Sequence, residues 1–143
     1  MIKKIIYLIL IVLFFSCENN NDAPDCSAVL CEASHVSVNL ITKTTNENFV
    51  LENDITKESV VIRNAENNEL EFDIIESNGL LYILKQNVTD SYEIFINAEV
   101  IAIFSFETTP RDQTKCCDFG KLKNVSVEEH EFEVEENLIT IYL

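Results

Sequence analysis

The densest run of side chains capable of chemistry lies at residues 128–136, which read EEHEFEVEE. Successive side chains of a β-strand point to opposite faces, so one face of this run is acidic and the other directs Phe132 and Val134 inward. The acidic face carries Glu129, Glu131, Glu133 and Glu135. Such a row could bind Ca²⁺ through several carboxylate oxygens, or bind a basic partner. The simpler interpretation is a solvated strand whose like charges discourage edge-to-edge aggregation.

A calcium site would need ligands from separate loops, because the compact Asp-x-Asp-x-Asp-Gly loop is absent from the sequence. The candidate metal ligands are Glu129, Glu131 and Glu133. The alternation does not by itself predict that they converge on one ion. We therefore expect no resident metal.

The two histidines, His35 and His130, are the candidates for acid–base chemistry. Neither lies near a Ser, Cys or carboxylate in a spacing typical of nucleophilic catalysis. The two glycines of the chain, Gly79 and Gly120, cannot form a glycine-rich phosphate loop. We therefore expect a protein that is not an enzyme and needs no cofactor, with hydrolysis ranked last among its possible functions.

Three tyrosines, Tyr82, Tyr92 and Tyr142, are candidates for a flat platform that binds sugar or peptide. A tyrosine at strand spacing is more often half-buried, with its ring packed against neighbouring side chains. Packing is therefore the expected role of all three.

The N-terminal residues 1–16 read MIKKIIYLILIVLFFS, with two lysines, an unbroken apolar run and a small residue before Cys17. This pattern is typical of a signal peptide. The apolar run is shorter than the roughly 20 residues that a helix needs to cross a bilayer, which favours a cleaved segment over a membrane span.

The tetrapeptide Phe14-Phe15-Ser16-Cys17 resembles the lipobox of bacterial lipoproteins. In that family the cysteine sulfur receives a diacylglycerol, the chain is cut before the cysteine, and the new amino group is acylated. The resemblance implies lipidation at Cys17, a removed signal peptide at residues 1–16 and anchoring of the mature chain in a membrane. Residues 17–25 are polar and acidic, which predicts a flexible tether.

Four cysteines remain: Cys26, Cys31, Cys116 and Cys117. An even number in a chain that leaves the cytoplasm indicates two disulfides. A bridge between neighbours in sequence would distort the peptide, which favours the two crossed pairings and leaves the choice between them open. The alternative is a metal site with four thiolate ligands, although adjacent thiolates are poor tetrahedral ligands.

The chain of 143 residues carries 25 acidic and 10 basic side chains, a formal net charge of −15. Nucleic acid and anionic lipid both need Lys and Arg arranged on one face, so neither is an expected electrostatic partner. Hydrophobic residues make up 47% of the chain and are spread through it. This composition predicts one folded domain rather than a disordered acidic tail.

From residue 35 onward the hydrophobic period is two, which predicts a succession of short strands. Asn78-Gly79 predicts a type I′ turn between two of them. Residues 100–106 are apolar on both faces apart from Ser105, as in a strand buried between two layers. Nine predicted strands cover residues 35–41, 59–63, 69–76, 80–84, 91–97, 99–106, 125–129, 130–135 and 138–143. Residues 49–51 are a candidate for a further short strand.

Seven to nine short strands predict an all-β domain at residues 26–143, an antiparallel two-layer β-sandwich braced by disulfides. In strand number, length and spacing this domain resembles the immunoglobulin-like and transthyretin-like sandwiches common in bacterial lipoproteins. The lipobox-like tetrapeptide and the acidic residues behind Cys17 resemble those of exported lipoproteins. This resemblance implies a membrane-anchored lipoprotein of the cell envelope, in the outer membrane, with a periplasmic or a surface face.

The leading functional hypothesis is a binding or accessory module for a protein or glycan partner. Open sheet edges make strand addition an available binding mode. The alternative is a small-ligand or calcium-binding module that uses residues 128–136 or the loop at residues 108–124.

Overall fold

A computed structural model describes residues 25–31, 34–85, 89–110, 112 and 114–143. The predicted signal peptide, Cys17 and nearly all of the predicted tether lie outside these residues. No helix in the described ranges has the length and apolar character needed to cross a bilayer.

The described residues form ten β-strands, a single α-helical turn α1 (Phe49–Glu52) and a 3-10 turn (Lys57–Ser59). The strands are β1 (His35–Thr42), β2 (Glu47–Asn48), β3 (Val60–Asn64), β4 (Phe72–Ile75), β5 (Leu80–Leu84), β6 (Thr89–Ile96), β7 (Glu99–Thr108), β8 (Leu122–Val127), β9 (Glu131–Glu135) and β10 (Leu138–Tyr142).

Two sheets pack face to face. The larger sheet has six strands in the order β4-β5-β1-β10-β9, with β2 attached to β1, and the smaller sheet has four in the order β3-β6-β7-β8. The predicted all-β, two-layer sandwich is confirmed. One pairing differs from the prediction of antiparallel strands, because β1 and β10 run parallel. They come from opposite ends of the domain, so the whole intervening chain supplies the long connection that a parallel pair requires.

Alternating side chains of both sheets form one apolar core. Val36, Val38 and Leu40 of β1 are fully buried, as the period of two predicts. On the smaller sheet Tyr92 packs between Phe104 and Phe106, with ring centroids 5.2 and 5.4 Å from its own. Packing rather than ligand binding is therefore the role of Tyr92.

Residues 49–51 form α1 and not the predicted short strand. The Asn48 side chain accepts a hydrogen bond from the Leu51 amide, with 2.9 Å between Oδ1 and N. An asparagine at this position satisfies an amide that the first helical turn leaves without a backbone partner. The turn also buries Val50 in the core, so local capping and burial together override the β-propensity of Phe49 and Val50.

The β4–β5 hairpin is confirmed, but its turn is not type I′. Ile75 pairs with Leu80, so four residues separate the strands and Asn78-Gly79 is not the central pair of a two-residue turn. Gly79 has φ +70°, whereas Asn78 is absent from the positive-φ residues. The Gly79 amide donates to the Ile75 carbonyl with 2.8 Å between N and O.

The strand predicted to be buried on both faces, at residues 100–106, is covered on one face. Ala102, Phe104 and Phe106 of β7 are buried, while Val100 is 52% exposed. Pairing with β6 skips Ile101, which forms a bulge. A bulge inserts one extra residue, so Val100 lies on the outer face of the sheet instead of continuing the inward series.

Two disulfides join the segment before β1 to the loop between β7 and β8. Cys26 bonds Cys116 and Cys31 bonds Cys117, with Cα–Cα distances of 5.3 and 5.4 Å. The structure thus selects one of the two crossed pairings. Because all four sulfur atoms are in disulfides, they do not form the alternative thiolate metal site.

Removing the disulfides should give strongly non-additive losses of stability. The two bridges span 90 and 86 residues, so either one alone restricts the unfolded chain almost as much as both. We expect Cys26→Ser/Cys116→Ser or Cys31→Ser/Cys117→Ser to lower the free energy of unfolding by about 1 kcal/mol, and the quadruple variant by about 4 kcal/mol. Urea unfolding measures the three values, and additive losses would contradict this account.

Candidate functional site

The strand β9 lies at the free edge of the larger sheet. Among the described residues it pairs with β10 alone. The Asn137 carbonyl and the Leu143 amide, which flank β10, hydrogen-bond β1. Because the backbone groups of successive residues point to opposite edges of a strand, Leu138, Thr140 and Tyr142 turn theirs toward β9. Their partners in β9 are Glu131, Glu133 and Glu135. The N–H and C=O groups of Phe132 and Val134 therefore point away from the sheet. We call residues 131–135 the β9 edge.

One face of the β9 edge is acidic. Glu131, Glu133 and Glu135 lie on the outer face of the sheet, opposite Tyr142, Thr140 and Leu138 of β10, and all three are exposed. Lys43 Nζ lies 3.2 Å from Glu131 Oε2, and the pair is largely solvated. An ion pair this exposed contributes little to stability. The three carboxylates, which we call the acidic face, thus remain available to a basic partner.

Tyr142 adjoins the acidic face and hydrogen-bonds Glu133. Desolvation raises the pKa of the Tyr142 phenol, and the hydrogen bond to the Glu133 carboxylate and its negative charge raise it further. Both effects oppose the charged phenolate. Tyr142 is half-buried, in agreement with the packing role expected for it.

The other face of the β9 edge is apolar and only partly covered. Phe132 is opposite Ile141 and Val134 is opposite Ile139. Both isoleucines are fully buried, yet Phe132 is 38% exposed and Val134 is 41% exposed. These two side chains lie on the inward face, as predicted, but both remain partly exposed.

Phe132 and Val134 remain partly exposed because the connecting chain covers the two long sides of the sandwich to different extents. At the β3–β4 side the connecting chain crosses the gap and Leu70 is buried, with its amide donating to the Ile62 carbonyl. At the β8–β9 side the chain crosses at residues 128–130, and the valines of β8 that pack against the core are half-buried. We call this gap the open seam; its apolar lining is Val125, Val127, Phe132 and Val134.

Residues 128–130 form a corner between the sheets and not part of the strand. The Glu128 amide donates to the Ile103 carbonyl, and His130 Nε2 donates to the Ile101 carbonyl at 3.1 Å. Glu129 has φ +60°, a left-handed conformation outside the β region. Glu129 is therefore not in the row with Glu131 and Glu133, which corrects the predicted four-residue acidic face.

The candidate calcium ligands do not converge. Within the part of the chain that the structure describes, no group of three or more His, Cys, Asp or Glu side chains could hold a metal ion. Strand geometry accounts for this, because alternate glutamates on one strand point outward side by side rather than toward a common centre.

The two histidines contact different elements. His35 stacks on Tyr82, with ring centroids 3.9 Å apart and 2.6 Å between Nδ1 and the phenol oxygen. His130 holds the bulged segment of β7 through Ile101, as described above. The contacts of both histidines are therefore structural. Sequence spacing does not reveal them, because they join residues far apart in the chain.

In the loop between β7 and β8, which is the alternative candidate site, the acidic side chains accept hydrogen bonds from other residues of the same loop. The Asp118 carboxylate accepts from the amides of Asp112 and Gly120, and these hydrogen bonds lower its pKa. Asp112 in turn accepts from the amide and hydroxyl of Thr114, which lowers the Asp112 pKa. These bonds brace the loop that carries Cys116 and Cys117.

Sequence reasoning missed a groove of about 640 Å³ between α1 and β4. Its apolar lining includes Val50, Ile55 and Ile74, and the Lys57–Asp73 ion pair lies at its side. No local pattern indicates this groove, because its residues come from separate stretches of chain. Lys57 and Asp73 pair with each other there. The β9 edge differs from this groove because it combines outward backbone groups with exposed apolar side chains, and such surfaces recruit partners.

Comparisons with protein-family models, with curated proteins and with solved structures returned no match.

Replacing Glu133 by Gln should lower the pKa of Tyr142 without restoring the ordinary tyrosine value. The substitution removes the carboxylate charge but leaves the partial desolvation. Ultraviolet titration of the tyrosines in the wild type should show a transition above the usual range, and the loss of a transition in Tyr142→Phe assigns it to this phenol. An unchanged high-pH transition in Glu133→Gln would contradict the assigned contact. Since the folded pKa is raised, the stabilisation is complete below the unfolded pKa and is lost as the pH rises through the folded value.

Proposed function

We propose that this protein is a non-enzymatic binding or accessory module, anchored at the cell envelope by lipid at Cys17. The observation that carries the proposal is the β9 edge. Within the described part of the chain its outward backbone groups have no neighbouring strand, and its inward side chains remain partly exposed. Strand edges of this kind recruit extended segments of other chains.

The disulfides support a location outside the cytoplasm. Both bridges form between distant parts of the chain, and such bonds persist in oxidising compartments. Together with the lipobox-like residues Ser16 and Cys17, they favour an exported lipoprotein of the outer membrane. Two or more acyl chains hold a protein durably on a membrane, so the folded domain needs no lipid-binding surface of its own.

The geometry favours binding over catalysis. His130 donates to a main-chain carbonyl and His35 stacks on a tyrosine, so both imidazoles have structural contacts. The β9 edge, by contrast, offers hydrogen-bond donors and acceptors in strand spacing beside an apolar seam. A partner there gains main-chain hydrogen bonds and covers Phe132 and Val134, which supports recognition of a polypeptide.

Replacing Cys17 by Ser should abolish lipidation and release the protein from the membrane fraction. The thioether forms on the cysteine sulfur, and a serine hydroxyl cannot replace it. Ser16→Ala is the matched control, because it keeps a small residue before Cys17 and should retain the label. Incorporation of a clickable palmitate analogue, followed by fractionation, measures both. Labelling that persists in Cys17→Ser would contradict anchoring at this residue.

A photoreactive amino acid at position 134 of the anchored protein should form a discrete crosslinked adduct in intact cells. Val134 lies on the β9 edge, where the proposed partner would contact it directly. Position 77 is the control, because Ser77 is exposed in the β4–β5 turn at the opposite edge of the same sheet. Adducts of equal yield at both positions, or none at position 134, would contradict binding at this edge.

A further inference from the structure

We propose that the β9 edge accepts an extended segment of a partner protein in which basic and apolar residues alternate. This inference rests on the proposed binding function and specifies the chemistry of the partner. The segment would add to the larger sheet as its next strand, beside β9.

Backbone geometry sets the length and mode of recognition. β9 has five residues, and Phe132 and Val134 together direct two N–H and two C=O groups outward. An added strand can satisfy all four groups, because neighbouring strands exchange bonds through every second residue. A segment of about five residues therefore matches the edge.

The acidic face selects basic side chains on one face of the added strand. Residues directly opposite in neighbouring strands share a face, so three positions of the segment would lie beside Glu131, Glu133 and Glu135. Lys43 pairs with Glu131 from within the chain, and that pair is solvated. With a formal net charge of −15, the protein as a whole also attracts a cationic segment.

The open seam selects apolar side chains on the other face. The two segment positions opposite Phe132 and Val134 would point toward the seam, next to side chains that are 38% and 41% exposed. An added strand that covers Phe132 and Val134 would extend the rows of buried side chains that contain Ile141 and Ile139. Removing apolar surface from water at these positions stabilises the added strand.

A second copy of this chain is a poor occupant of the same edge. Antiparallel pairing of β9 with itself about Glu133 places Glu133 opposite Glu133 and Glu131 opposite Glu135, which is destabilising. A slip by one residue would instead turn the carboxylates of one copy into the seam, where burying an unpaired charge is costly. The edge thus disfavours self-association and favours a basic partner.

The test measures binding of the disulfide-bonded domain to a short peptide in which lysine and valine alternate. Its isomer, with the lysines grouped at one end, has the same charge and composition. Fluorescence anisotropy should show at least about tenfold tighter binding of the alternating peptide, because the isomer cannot place basic and apolar side chains on separate faces. Equal affinity for both peptides would show general charge attraction and overturn the proposal.

Three protein variants locate the site. Val134→Pro removes an edge-facing N–H that bonds no strand in the larger sheet, and proline is tolerated at edge positions; it should weaken binding at least about tenfold. Val134→Thr keeps the amide and a β-branched side chain but places a hydroxyl in the open seam, so it should weaken binding less than Val134→Pro does. Glu131→Gln/Glu133→Gln/Glu135→Gln should also lose about tenfold in affinity and most of the dependence on salt. Wild-type affinity in Val134→Pro or in the triple variant would overturn the proposal.

Peptide backbones provide a second test that does not depend on how a variant folds. N-methylation of the valines removes the donors used in antiparallel addition, and N-methylation of the lysines removes those used in parallel addition. One of the two modified peptides should lose binding, and retention of binding by both would overturn strand addition.

The peptide test and the crosslinking test fail in different ways. If the alternating peptide does not bind but a discrete adduct forms at position 134, the assigned partner chemistry is overturned and binding at the edge remains supported. Failure of the peptide with no adduct at position 134 would overturn both proposals.

Discussion

The packing of a six-stranded sheet on a four-stranded sheet is the constraint on which the other features of this protein depend. Both sheets must bury the apolar residues of their facing sides in one core. On one side the crossing chain closes the sandwich and buries Leu70. On the other side the larger sheet continues to β9, and the smaller sheet ends at β8 without covering it. The exposure of Phe132 and Val134 follows from this mismatch in width.

The covalent bridges act on a different part of the molecule. They fasten the segment before β1 to the loop between β7 and β8, and hydrogen bonds to Asp112 and Asp118 brace that loop. Residue 25, the last of the predicted tether, adjoins Cys26, so the proposed anchor would connect to the domain next to a cross-linked residue. The β9 edge belongs to other elements of the fold.

The acidic face and the open seam have complementary roles on one strand. Like charges on an edge strand discourage pairing between copies, and in the proposed complex the same charges would attract a basic segment. The apolar side chains of β9 contribute the burial that would make such a complex stable. One short sequence can do both because alternate side chains of a strand face opposite directions.

Most of the strands and the inward set of residues follow from local sequence patterns. Val36, Val38 and Leu40 alternate with polar neighbours, and this local period is sufficient to predict a half-buried strand. The pairing of cysteines into two bridges was likewise predictable from their number and compartment. The helical turn at residues 49–51 is predictable only if Asn48 is considered as a helix cap. A pattern of apolar residues alone does not indicate it.

Other features depend on contacts that form in the folded chain: which crossed disulfide pairing forms, the parallel course of β1 and β10, and the bulge at Ile101 that turns Val100 outward. The fold also separates Glu129 from the acidic face and leaves Phe132 and Val134 partly exposed. Their sequence pattern is that of core residues, and nothing within β9 distinguishes them from Ile139 and Ile141. The difference lies in how far the opposing sheet extends, and that depends on contacts among strands distant in sequence.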